Sequence, residues 1–183
     1  EEIYKLTNLS ENFSINELRT YINNNKKLLS FINNLRKIIY VNNEEYKHVI
    51  YASSTSCAKI ICGLLNILGF YSAYDKDHKS QMKSDGKCFV YLTANNVSGK
   101  PLSKTLVKQI KNTFNERPDN ILGKNIKILV IDKYYKEGID LFDVKYMHIF
   151  SKIIYDNEEN QIIGRIRRTC GHIGLPDGTK QII

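Results

Sequence analysis

The sequence of 183 residues has no tryptophan, three prolines and two methionines. It also has no apolar run that approaches the length of a membrane span. Its first residues, EEIYKLTNLSENFS, lack the basic-then-apolar order of a signal peptide. These absences predict a protein without membrane attachment. The hydrophobic share of 42% and the charged share of 25% are ordinary for a globular fold.

Cysteine is scarce, and its spacing does not match the common metal-binding motifs. Cys57 and Cys62 fall in an apolar helical pattern, and Cys88 begins a strand-like run. This placement predicts buried free thiols in a reducing, intracellular compartment. Cys170 and His172 have no second ligand pair at zinc-site spacing, so we predict no metal site.

Basic residues outnumber acidic ones, with 27 Lys and Arg against 19 Asp and Glu, for a net charge of +8. A basic surface attracts phosphate backbones and phosphorylated ligands. The many Asn, Lys, Ile and Tyr residues offer a second explanation, because an AT-rich genome favours them. Net charge alone therefore does not decide a function.

The N-terminal part of the chain carries apolar residues at helical spacing, most clearly in SINELRTYINNNKKLLSFINNLRKIIYV. The asparagines at 23–25 predict a break between two helices. We interpret residues 1–45 as a helical linker or extension that precedes the main domain at 46–183. The chain begins without Met and ends on an apolar run, which suggests a fragment of a longer protein.

Strand and helix patterns alternate from residue 47 onward, and each strand is a nearly continuous apolar run. This pattern is typical of an α/β fold in which helices cover both faces of a parallel sheet. In such sheets, ligands bind beyond the carboxyl ends of the strands. The predicted strands are 48–53, 87–94, 126–132 and 146–152, and the predicted helices include one ending at Gly69 and one at 103–115.

One candidate ligand-binding segment is IKILVIDKYYKEGIDLFDV, in which a buried strand ends at Asp132. Gly138 permits a tight backbone beside a ligand, and Asp140 would then direct a carboxylate toward whatever lies at the strand ends. An ordinary strand and turn with a helix-capping Asp explains the same residues. This segment alone does not decide between the two.

A second candidate segment is QIIGRIRR, which ends in a basic cluster. On a helix, Gln161, Arg165 and Arg168 share a face, whereas Arg167 lies about 100° from Arg168. Two guanidiniums on one face suit a polyphosphate, because their forked donors match phosphate oxygens. A solvated basic face, or one paired with the acidic residues before it, is the other interpretation.

The two segments together, in this order along an α/β pattern, resemble the C-terminal RecA-like domain of superfamily 2 helicases over residues 46–172. YASS resembles helicase motif IV, DKYYKEGID motif V and QIIGRIRR motif VI. The phrases FNERPDNILGKNIKILVID, KEGIDLFDVKYMHIF and IGRIRRTCGH are similar to helicase-like NTPases and early transcription factors of large nucleocytoplasmic DNA viruses. That likeness implies a partner in viral transcription machinery and, for a viral protein, a location in the host cytoplasm or the virion.

The resemblance implies roles for individual residues around a nucleotide. Arg165 and Arg168 match the motif VI arginines, and Arg168 would be the arginine finger on the γ-phosphate of ATP. Gln161 matches the leading polar residue of that motif. Gly138 and Asp140 match the G-x-D of motif V, whose Asp approaches the ribose.

The resemblance also implies contacts with DNA or RNA. Ser53 and Ser54 match the motif IV region near the nucleic-acid backbone, and Lys100 flanks the next helix. Motif V commonly places Thr or Ser six residues before its Gly, where it touches a phosphate, but this chain has Asp132. A carboxylate repels phosphate, so we expect Lys133 or Lys136 to take over that contact.

Two parts of an ATP-hydrolysing site are missing from these residues. No G-x-x-x-x-G-K-[ST] phosphate loop occurs, and no Asp-Glu pair at a strand end is available to hold Mg²⁺. SGKPLSKT is not a substitute, since Pro101 follows Lys100. We therefore expect ATP and Mg²⁺ to be bound mainly by an N-terminal RecA-like domain, and these residues alone to be inactive.

Two rival interpretations remain open. A catalytically inactive helicase-like module could serve as a nucleic-acid-binding transcription factor or scaffold, and Asp132 is its best support. A different nucleotide-binding α/β fold, such as a methyltransferase, would need a glycine-rich loop after the first strand, and YASSTSC has no glycine.

Overall fold

A parallel sheet of five strands forms the centre of the molecule, as a computed structural model shows. The structure describes residues 20, 22–41, 45–74, 79–94, 101–135, 139–150, 156–164, 166–167, 171–179 and 182. The parallel sheet confirms the predicted fold class. The strands are β1 (Lys47–Ala52), β2 (Tyr71–Ser72), β3 (Cys88–Leu92), β4 (Ile128–Asp132) and β5 (Val144–Ile149), in the spatial order β2-β3-β4-β1-β5.

Polar side chains fix where the helices begin. Asn25, Ser54 and Ser103 each accept a hydrogen bond from a backbone N–H of the first helical turn that follows. Asn25 lies in the predicted break, and Gly69 follows the second long helix with a positive φ of 87°. The helices are α1 (Lys26–Arg36, continued by a π-helical turn at Lys37–Val41), α2 (Thr55–Ile67), α3 (Lys104–Asn115) and α4 (Asp156–Gly164).

The strands are apolar throughout because both faces of the sheet are covered. In β4, Ile128 and Val130 point toward α1 and α2, whereas Leu129 and Ile131 point toward α3 and α4. Every residue of β1 and β4 is buried, which explains the continuous apolar runs in the sequence. The sequence did not indicate β2, whose two residues are too few to show a period.

Helix α1 packs against this domain. Leu35 and Ile39 join the apolar cluster beneath α2, and Leu28 and Ile32 pack beside Leu64. The helical N-terminal segment is thus confirmed in its described part. The division at residue 45, and the interpretation of 1–45 as a linker or extension, remain predictions.

The described cysteines are free thiols, as the sequence predicted. Cys88 is buried, and Cys57 and Cys62 are half-buried. Burial raises the pKa of the Cys62 thiol to about 12, which makes it unreactive at neutral pH. Cys170 lies outside the described residues. None of the helices in the described part of the chain is long and apolar enough to cross a membrane.

Candidate nucleic-acid and nucleotide surfaces of the domain

Asp132 ends the central strand β4, with β1 on one side and β3 on the other. It pairs in register with Ala52, the last residue of β1. Its neighbour Ile131 pairs with Leu92, the last residue of β3. Because the strands are parallel, all three end at the same edge of the sheet. Asp132 therefore lies where three loops begin, and it is only 1% exposed.

The carboxylate of Asp132 binds all three of those loops. Its Oδ2 accepts from Thr55 Oγ1 and from the Ala94 backbone N–H, each at 2.9 Å. Its Oδ1 accepts from the Tyr134 N–H at 3.0 Å. We call this set (Asp132, Thr55, Ala94 and Tyr134) the carboxyl-edge clamp. A buried carboxylate held by these donors is not directed at a ligand, so it neither supplies nor opposes a phosphate contact directly.

The predicted nucleic-acid residues that the structure describes lie at this same edge. Ser53 and Ser54 follow β1 and are half-buried, and the Ser54 hydroxyl oxygen accepts from Cys57 N–H to cap α2. Lys133 follows β4 and is exposed. Lys100 and Lys136 lie outside the described residues.

Two tyrosines follow Asp132 in a short 3₁₀ turn, Lys133–Tyr135. Tyr135 packs against the core on the α3 side of the sheet, and burial raises the pKa of its hydroxyl. The Tyr134 ring meets the Tyr135 ring edge-on, with centroids 5.1 Å apart. Tyr134 itself is 68% exposed. The turn therefore displays one aromatic ring on a packed support.

Asp140 does not lie at the carboxyl edge, which corrects the expectation that its carboxylate faces the strand ends. Its carbonyl oxygen accepts from Asn115 Nδ2 at 2.8 Å, and Asn115 Oδ1 accepts from Phe142 N–H. Asn115 ends α3, beside the start of β1, where Phe114 O accepts from Lys47 Nζ at 2.7 Å. The physical reason is topological: β4 and β5 are parallel, so the chain must return to the amino edge before β5 begins.

Helix α4 lies on the same side of the sheet as α3. It ends at Gly164, and the described residues 166 and 167 form a turn after it, which corrects the expectation of a helix that continues through the basic segment. Ile162 and Ile166 are fully buried there, in the cluster that also contains Ile139 and Leu141, which flank Asp140. Gln161 is exposed. Arg165, Arg168 and Gly138 lie outside the described residues, so their geometry remains a prediction. The described site residues thus form two groups, one at the carboxyl edge and one along the α3 and α4 side.

A solved structure has a similar fold. The chain superposes on the C-terminal part of the Fun30 ATPase domain with a TM-score of 0.54 and 17% identity, over 78% of this chain and 36% of that one. The likeness shows a RecA-like fold.

Curated proteins add a sequence relationship. The chain is 35% identical over 68 residues to an Acanthamoeba polyphaga mimivirus protein named as an ATP-dependent RNA helicase, covering 37% of this chain and 8% of that one. It is 36% identical over 80 residues to a killer plasmid pGKL-2 helicase of Kluyveromyces lactis, covering 44% of this chain and 13% of that one. It is 35% identical over 88 residues to the termination factor NPH-I homologue of African swine fever virus, covering 47% of this chain and 12% of that one.

The chain is a distant, partial homologue of superfamily 2 helicases. It spans about a tenth of the length of the curated relatives it matches. No family model matches it.

In this RecA-like domain, the segment 171–174, which follows α4, is bound to the amino edge of the sheet. Asp143 directly precedes β5 and forms a bidentate ion pair with Arg117, at 2.6 Å from Nε and 2.9 Å from a terminal nitrogen. Asp143 Oδ1 also accepts from Gly174 N–H, and its own N–H donates to Gly171 O. We call this set (Asp143, Arg117, Gly171 and Gly174) the amino-edge latch.

The contact at residue 174 requires glycine. A Cβ there would lie 2.9 Å from Asp143 Oδ1 and 2.9 Å from the Ile121 side chain, closer than such atoms approach. This latch could not be recognised from the sequence, because its members are separated by 26 and 31 residues.

A buried lysine lies beside the amino-edge latch. Lys47 is fully buried. Its Nζ lies 4.6 Å from the centre of the Phe114 ring and donates a hydrogen bond to the Phe114 carbonyl oxygen. Burial lowers the pKa of Lys47 to about 7, while the charge of Asp143 opposes that shift and Arg117 adds to it. The sequence predicted no such group, since buried lysines are rare.

Proposed function

We propose that this domain is the C-terminal half of an ATP-dependent superfamily 2 nucleic-acid helicase or translocase. The observation that carries the proposal is a RecA-like fold whose α4 ends with the first half of Q-x-x-G-R-x-x-R, with Gln161 exposed. ATP and Mg²⁺ are held mainly by an N-terminal RecA-like domain, because these residues include neither a phosphate loop nor an acidic pair for the metal. Without that partner, the domain does not hydrolyse ATP.

Arg165 and Arg168 supply positive charge to the triphosphate, and Arg168 is the arginine finger on the γ-phosphate. Gln161 contacts the nucleotide from α4, and Gly138 with Asp140 contacts it from the segment that returns to the amino edge. The support is spatial: Asp140 and Gln161 each adjoin residues of one apolar cluster on the α3 and α4 side.

Nucleic acid binds at the other group of residues. Ser53 and Ser54 approach the backbone, and Lys100, Lys133 and Lys136 provide positive charge. The support is that Ser53, Ser54 and Lys133 share the carboxyl edge of the sheet. The two ligands use different parts of the domain. When the two RecA-like domains close on ATP, the contacts of this domain with the nucleic-acid strand change, and the domain moves along that strand.

Replacing Arg168 with Ala in the full-length protein tests the proposal most directly. We expect ATP turnover to fall by about 10³-fold or more, because the charge that develops on the γ-phosphate loses its partner. Nucleotide binding is retained, since the rest of the site is intact. Steady-state hydrolysis and equilibrium binding of a labelled ATP analogue measure the two effects.

Arg167 provides a matched control, because it is exposed and belongs to the same basic cluster. We expect Arg167→Ala to hydrolyse ATP at nearly the wild-type rate. Unchanged turnover in Arg168→Ala, or equal losses in both variants, would contradict the arginine-finger assignment. If the wild-type protein binds nucleic acid but hydrolyses no ATP, the alternative of an inactive binding module or scaffold replaces the proposal.

Transcription is the process we propose for this activity. The support is that one relative is the termination factor NPH-I homologue of African swine fever virus. The partner is then the transcription machinery of a large DNA virus.

A further inference from the structure

Among the exposed apolar side chains of the described residues, Tyr134 has an unusual position. A single exposed aromatic residue is ordinary on a protein surface. Tyr134, however, follows the central strand directly, at the edge where parallel α/β sheets bind ligands. It also lies beside the exposed cation Lys133.

The backbone and the ring of Tyr134 each have a contact that restrains them. Its backbone N–H donates to Asp132 Oδ1 at 3.0 Å, in a clamp that also fixes the loops after β1 and β3. Its ring meets Tyr135 edge-on at an interplanar angle of 73°, and Tyr135 is packed against the core. Little conformational freedom remains to be lost when a ligand binds this ring.

The chemistry of this surface fits a nucleobase. Exposed aromatic rings on a basic surface bind single strands by stacking, whatever the base, because every base has a π-face. Among the described residues of this loop, the Asp132 carboxylate is buried and already binds its donors, and the exposed charge is that of Lys133. We propose that Tyr134 stacks on a base of single-stranded nucleic acid that crosses the carboxyl edge. This inference rests on the proposed function, and it adds the binding mode.

The test compares Tyr134→Ala with Tyr134→Phe in the full-length protein, using anisotropy of a fluorescein-labelled oligothymidylate at fixed salt. Alanine removes the ring and is expected to weaken binding about tenfold, whereas phenylalanine keeps the ring and the wild-type affinity. The thermal unfolding midpoints of both variants should match the wild type, since the ring is mostly exposed.

Two further probes identify the ligand. An abasic oligonucleotide of the same length should bind the wild type and Tyr134→Ala equally, because there is nothing to stack. A blunt hairpin duplex should also be insensitive to Tyr134→Ala, since its bases are already stacked on one another.

The outcomes separate this inference from the proposed function. Wild-type binding that Tyr134→Ala leaves unchanged overturns the stacking role, while nucleic-acid binding itself stands. A raised KM for ATP in Tyr134→Ala, with unchanged oligonucleotide affinity, also overturns it and assigns the ring to the mononucleotide. A wild-type protein that binds no single strand contradicts the nucleic-acid part of the proposed function and the inference with it.

Discussion

The two edges of the sheet are each organised by a buried aspartate, but the aspartates have different partners. Asp132 at the carboxyl edge binds a hydroxyl and two backbone N–H groups. Asp143 at the amino edge binds the guanidinium of Arg117 and a backbone N–H. The first set is neutral apart from the carboxylate, whereas the second is an ion pair with a buried lysine nearby.

The difference matches what each edge has to hold. The amino-edge latch fixes the segment 171–174 that follows α4, so an ion pair and its hydrogen bonds connect distant parts of the chain at 117, 143 and 171–174. The carboxyl-edge clamp fixes loop starts and leaves Lys133 and Tyr134 exposed. The amino edge thus connects segments of the domain to one another, whereas the carboxyl edge keeps two side chains available on its surface.

The largest stability change should come from Asp143→Ala, which breaks the latch. It leaves Arg117 without its carboxylate and the Gly174 N–H without an acceptor, at a cost of about 3–5 kcal/mol of unfolding free energy. Hydrogen exchange should accelerate first in the segment around 171–175. The exposed Asp119→Ala is the control, and an equal loss in that variant would contradict the latch.

Asp132→Ala should have a smaller effect, because the partners it loses are neutral. We expect a loss of about 2–3 kcal/mol, with Asp132→Asn losing less because the amide oxygen can still accept. Hydrogen exchange should increase at Ala94 and in the turn at Lys133–Tyr135, but not at 171–175. Faster exchange at both edges would mean that they open as one cooperative unit, which would contradict separate roles for the two edges.

A third prediction is a pH dependence of stability specific to the amino edge. The pKa of Lys47 is about 7 in the folded protein and near its ordinary 10.5 in the unfolded chain. Between these values, only the unfolded chain holds the proton, so the Lys47 contribution to stability increases as pH rises from about 7 toward 10.5. Below about pH 7, the full cost of the buried charge is present.

Unfolding midpoints of the wild type and Lys47→Met, measured from pH 7 to pH 10, isolate this contribution. The variant should show a shallower rise in stability with pH. Lys124→Met, at an exposed position, should keep the wild-type slope. A slope that Lys47→Met leaves unchanged would place the Lys47 pKa in its ordinary range.

Sequence reasoning identified the sheet because its signals are local. Ser54 and Ser103 begin helices where the pattern changes from strand to helix, and β4 is continuously apolar because both faces are covered. Helix caps and strand runs need only neighbouring residues to be recognised. The two residues of β2 carry too little pattern for that.

The edges could not be predicted in the same way, because their contacts are distant in sequence. Thr55 and Asp132 are 77 residues apart, and only the sheet order brings them together. From the sequence, we expected the Asp132 carboxylate to face and repel a nucleic-acid phosphate. In the fold, that carboxylate is buried and accepts hydrogen bonds from the protein itself. Asp140 was expected at the strand ends for a similar reason, since the return to the amino edge follows from topology and not from the residues themselves.

The carboxyl-edge clamp also has a consequence for how this protein can diverge. If residue 132 were changed to threonine, the shorter side chain could not replace both carboxylate oxygens, and Thr55 or Ala94 would lose its acceptor. We therefore expect a change at 132 to cost less stability when it is combined with a change at 55, such as to valine. Related sequences should then show substitutions at the two positions together.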